Sequence, residues 1–79
     1  MNAYPKARIK LDEVDAGVYK VQSCMVWFEE HVIRFLGSRE KYESTDAAVA
    51  EMKRQTMDLL RERGRTETEH EVNWVIESE

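Results

Sequence analysis

Polar and apolar residues alternate through "ARIKLDEV", with Arg8 and Lys10 pointing one way and Ile9 and Leu11 the other. That period of two is the signature of a half-buried strand. Asp15–Ala16–Gly17 supplies turn chemistry, because Gly17 takes a positive φ at no steric cost. "VYKVQ" resumes the alternation, Tyr19 and Val21 against Lys20 and Gln22, so Ala7 to about Ser23 is expected to form a hairpin.

The period changes in "AAVAEMKRQTMDLLRER", where Ala48, Val49, Met52, Thr56, Leu59 and Leu60 share one face at helical spacing. Ser44 stands where an N-cap belongs, Asp46 lies beside the positive end of the helix dipole, and Gly64 follows a basic last turn as a C′ residue should. "RTETEHE" reads as a polar connection. "VNWVIE" reads as a closing strand with Val72, Trp74 and Ile76 on its buried side.

"CMVWFEEHVIRFLG", Cys24 to Gly37, supports two assignments. A helix would use Ser23 as N-cap, Gly37 as C′ residue and Glu30–Arg34 as an i,i+4 pair. Val26, Trp27, Phe28, Val32, Ile33 and Phe35 argue against it, because β-branched and aromatic residues lose rotamers in helices and fit a pleated sheet. Two strands are therefore expected, about Ser23–Trp27 and His31–Leu36, bent at Phe28–Glu29–Glu30. The order becomes β-β-β-α-β: an α+β two-layer sandwich with a mostly antiparallel sheet and one helix on one face. Periodicity leaves open whether the last strand pairs in the middle or at an edge.

Length and composition set the scale. The 79 residues make one small domain, residues 1–79, with an ordinary globular balance of 42% hydrophobic and 35% charged residues. A chain of this size buries only about 60% of its unfolded surface, so its core is thin, and a homodimer is expected to complete it. One cysteine cannot form an intramolecular disulfide. The N-terminus lacks the apolar stretch of a signal peptide, and no run approaches the roughly 18 apolar residues of a membrane span. The expected setting is cytoplasmic.

Isolated groups invite chemistry without composing a site. Glu29 and Glu30 are adjacent, so on a strand they diverge. Zinc needs three or four converging ligands, whereas His31, His70, Cys24 and scattered glutamates follow no metal-binding spacing. In "EHE", Glu69 and Glu71 would face away from His70 on a strand. Cys24 paired with His31 could make a nucleophile, but it lies in the apolar run "CMVWF", which favours a structural role. Gly17, Gly37 and Gly64 stand singly, so no phosphate loop is present. No cofactor or metal is expected.

Charge and surface point to binding. The net charge of −4 argues against a protein that coats nucleic acid through bulk electrostatics. Lys53, Arg54, Arg61, Arg63 and Arg65 gather in one stretch, while Glu67, Glu69, Glu71, Glu77 and Glu79 follow without a cation. Arg8, Lys10, Lys20 and Arg34 could align on the outer sheet face as a strip for a phosphate backbone, with Tyr4, Tyr42 or Trp27 for base stacking. Met25, Val26, Trp27 and Phe28 exceed what one helix can cover and are the expected protein interface.

"KYESTDAAVAEMKRQ", an aromatic residue then Ser/Thr-x-x-Ala leading into a helix after three strands, resembles the helix entry of small HicB-type antitoxin domains. Many unrelated α+β modules share it, and the separate DNA-binding segment of that family has no counterpart in the sequence. No family assignment is drawn from it. The function expected from sequence is a non-enzymatic protein-interaction module that self-associates. A nucleic-acid-binding module on the basic face is the alternative, and an enzyme built on Cys24 and His31 comes third.

Overall fold

A computed structural model describes residues 5–36 and 40–78, with the side chains of Phe35 and Leu36 left out. Tyr4 and Gly37 lie outside the described residues. The element order is β1 (Lys6–Asp15), β2 (Val18–Phe28), β3 (His31–Leu36), α1 (Thr45–Glu62), a 3₁₀ turn (Glu69–Glu71) and β4 (Asn73–Ser78). The strands form one sheet in the order β3-β2-β1-β4. Neighbours are antiparallel except β1 and β4, which run parallel. The two-layer α+β sandwich expected from the sequence is the fold, and β4 takes an edge.

β2 runs unbroken where the sequence suggests a junction at Ser23. Its apolar phase does change, from Val21 to Cys24, Val26 and Phe28. A β-bulge absorbs the change: Lys10 faces Ser23 while Leu11 faces Val21, so Gln22 has no partner on β1. The extra residue brings Val21 and Cys24, three apart, onto the same buried face. Glu29 and Glu30 then make a two-residue turn, with Glu29 held at a φ of 55°.

α1 begins as its residues require, with the Ser44 hydroxyl accepting the Ala47 amide at 3.1 Å. It ends on Gly64 at a φ of 78°. The Gly64 amide donates to the Arg61 carbonyl at 3.0 Å and the Arg65 amide to that of Leu60 at 2.9 Å, a Schellman closure. The buried stripe is Ala48, Met52, Thr56, Met57 and Leu60, with Val49 and Leu59 only flanking it. A row at every fourth residue lies over the sheet, which places Leu59 to one side and draws in Met57.

The helix lies across β1 and β2. Ala7, Ile9 and Leu11 meet Val21, Cys24, Val26 and Phe28 beneath it, closed by Val72. Pro5 also belongs to this core: it is fully buried, and its carbonyl accepts the Asn73 amide at 3.0 Å. Within the polar connection "EHE" forms a 3₁₀ turn, because the amide and hydroxyl of Thr68 both donate to Glu71 Oε1 at 2.8 Å. Val72, just before β4, and Trp74 on it pack toward the core, but Ile76 stays 42% exposed because the helix does not reach it.

Candidate interaction surface

Alternation and pairing together decide what the second face of the sheet presents. Cross-strand partners share a face, so each ladder row extends the outward side of β1 across the sheet. Lys6 stands beside Trp27, Val32 and Asn73. Arg8 stands beside Met25, Arg34 and Val75. Lys10 faces Ser23 on one side and Glu77 on the other. Beyond the bulge Asp12 faces Lys20. None of these positions lies under the helix.

The face has an apolar centre with a mainly cationic border, in which Asp12 and Glu77 stand among the cations. Met25, Trp27 and Val75 are half-buried, and Val32 is 52% exposed. Lys6 Nζ sits 5.4 Å from the centroid of the Trp27 ring, a cation–π contact that fixes both side chains. Arg8 Nε meets Glu77 Oε1 at 3.3 Å, an exposed pair worth under about 1 kcal/mol that leaves Arg8 open to exchange.

The four cations read from the sequence, Arg8, Lys10, Lys20 and Arg34, all fall on this face. Lys6 joins them, missed because the strand begins one residue before the alternation becomes visible. Of the four apolar residues expected to form an interface, Met25 and Trp27 lie on this face. Val26 and Phe28 lie in the core, 0% and 4% exposed. Once β2 is a continuous strand, neighbours in "MVWF" must point to opposite sides. Val32 and Val75 complete the centre through pairing rather than through any local signal. Tyr42 is half-buried against the core and bridges to Tyr19, so Trp27 is the aromatic residue placed for stacking.

The groups that invited catalysis do not converge. Cys24 and His31 lie opposite Phe35 and Phe28 on their ladder, four residues apart along β2, or about 13 Å. The Cys24 thiol is buried with its Sγ 3.6 Å from Thr56 Oγ1, and burial pushes its pKa up, away from the nucleophilic thiolate. His31 is exposed, its ring 5.5 Å from that of Phe28. Glu29 reaches away from Glu30 to Arg65 at 2.9 Å, and Arg65 also binds Glu67, tying the β2–β3 turn to the segment after the helix. Among the described residues no group of three or more His, Cys, Asp or Glu side chains is placed to hold a metal ion.

An open cleft of about 280 Å³ lies beside the helix start, lined by Asp46, Val49, Ala50, Lys53 and Glu69. Its cation is engaged within the chain, since Lys53 Nζ lies 3.5 Å from Glu69 and 5.4 Å from the centroid of Trp74. No helix among the described residues is long and apolar enough to cross a membrane. No family model, curated protein or solved structure matches the chain.

Proposed function

We propose that the protein is a non-catalytic protein-interaction module that binds its partner on the uncovered face of the sheet. One observation carries this: Met25, Trp27, Val32 and Val75 form a half-exposed apolar centre bordered by Lys6, Arg8, Lys10, Lys20 and Arg34. Centres of protein interfaces are enriched in Trp, Met and Arg, and their rims are polar. The complementary partner is an apolar patch edged with carboxylates. Two copies stacked face to face would set cationic surfaces together, so this face takes a different chain.

A photo-crosslinking residue at Val32, used in the native cell, tests the proposal. The expected result is one defined protein adduct, reduced at least tenfold when Trp27→Ala and Arg34→Glu are combined in a variant that melts like the wild type. No adduct, or an adduct indifferent to that variant, would overturn it.

The same cations around Trp27 favour a second reading, a single-stranded nucleic acid held on this face. It ranks lower for two reasons: the net charge is −4, and Lys6 already covers the Trp27 ring. Salt-sensitive oligonucleotide binding, abolished by Lys10→Glu with Lys20→Glu, would put it first.

A further inference from the structure

The outer edge of β4 is a separate surface with its own unsolved burial problem. Ile76 points to the helix side of the sheet, paired with Ile9, yet the helix ends over β1 and β2 and leaves it 42% exposed. Beside it Trp74 is half-buried and held rigid. Its indole Nε1 donates to the Glu69 carbonyl at 2.8 Å, and Lys53 caps the ring. No described strand or loop pairs with this edge. At the opposite edge Ile33, in the same ladder row as Trp74, packs against the core as Trp74 does.

The backbone of β4 is set for a further strand. Asn73 donates its amide toward β1, so by alternation the amides and carbonyls of Trp74, Ile76 and Ser78 point outward. We infer that this edge joins a second copy of the chain, antiparallel about a twofold axis at Val75, and merges the two sheets into one.

The register follows from the side chains. An even residue sum across the twofold keeps helix-side residues opposite helix-side residues. Centring on Val75 sets Trp74 opposite the partner's Ile76, which covers the exposed isoleucine with the anchored indole twice over. It also sets Asn73 opposite the partner's Glu77, an amide facing a carboxylate. Centring on Trp74 would instead oppose Glu71 and Glu77, and centring on Ile76 would leave Trp74 opposite Ser78. In the Val75 register, Trp74 and the partner's Ile76 exchange both ladder hydrogen bonds, which matches the outward polarity of those residues.

Both helices then lie on one side of the joined sheet and both uncovered faces on the other. The dimer presents two copies of the proposed partner-binding face in one plane, a bivalent surface. The edge contact itself does not depend on what that face binds.

Sedimentation velocity across the micromolar range tests the inference. The expected result is a monomer–dimer equilibrium that Ile76→Lys removes and Val32→Lys leaves intact. Ile76→Pro discriminates further. It deletes an amide that points only outward, as proline is tolerated at a sheet edge, so the dimer is lost while far-UV circular dichroism and β1–β4 pairing persist. Val75→Cys, at the twofold, forms an intermolecular disulfide in air, and Asn73→Cys does not. A strict monomer throughout, or a dimer that survives both Ile76 variants, would overturn the inference.

Discussion

Leu60 and Leu59 are neighbours of identical chemistry with different surroundings. Leu60 is 1% exposed at the centre of the core, whereas Leu59 flanks it. Leu60→Ala should cost about 2–5 kcal/mol, since a close-packed site keeps its cavity, and Leu59→Ala less than half as much. Urea denaturation of the two variants side by side checks this, and equal losses would contradict the placement of the helix. Ser44→Ala should cost about 1 kcal/mol by leaving the Ala47 amide without its acceptor. Cys24 behaves as a small core residue. Iodoacetamide should leave it unmodified in the native protein and label it on unfolding, because its thiol is both enclosed and pushed toward the neutral form. Cys24 and the helix face were readable residue by residue, since apolar runs and helical spacing are local. The ranking of Leu59 against Leu60 was not, because it depends on how the helix lies across the sheet.

At the scale of elements, the β2–β3 turn concentrates the backbone strain. Glu29 at a φ of 55° occupies a region that β-branched residues avoid and asparagine tolerates. Glu29→Val and Glu29→Asn both delete the ion pair to Arg65, so their difference isolates the backbone. Glu29→Val should be less stable than Glu29→Asn by about 1–2 kcal/mol, read from thermal or urea midpoints. The turn itself was visible in the sequence as a polar interruption between apolar runs. The continuity of β2 was not, because a bulge looks like the end of one element and the start of another. Its evidence lies in the partner strand, where Lys10 and Leu11 skip Gln22.

For the molecule as a whole, acid is the informative perturbant. Hydrogen bonds from Arg54 and Gln55 hold the Glu51 carboxyl down to about 2, against an ordinary 4.5. Arg65 lowers that of Glu67, and Thr68 that of Glu71. Each folded-state pKa lies below its unfolded value. Between the two the unfolded chain therefore binds more protons, and stability falls as pH drops. Urea midpoints should be flat above the ordinary carboxylate range and decline from about 4.5 toward 2. Glu51→Gln should make that decline shallower. Because these groups stay in partial contact with solvent, added salt should shrink the effect, and a decline indifferent to salt would point to another cause.

Alternation in β1, the helical stripe from Ala48 to Leu60, the caps at Ser44 and Gly64 and the order β-β-β-α-β were all determined by the sequence alone. Each rests on spacing between near neighbours, and such spacing sets which way a side chain points. Tertiary pairing decided the rest. It placed β4 parallel to β1 at an edge, divided Met25 and Trp27 from Val26 and Phe28, and brought Lys6, Val32 and Val75 beside them. These outcomes come from hydrogen bonding between strands distant in the chain, where the choice of neighbour depends on burying the whole core at once.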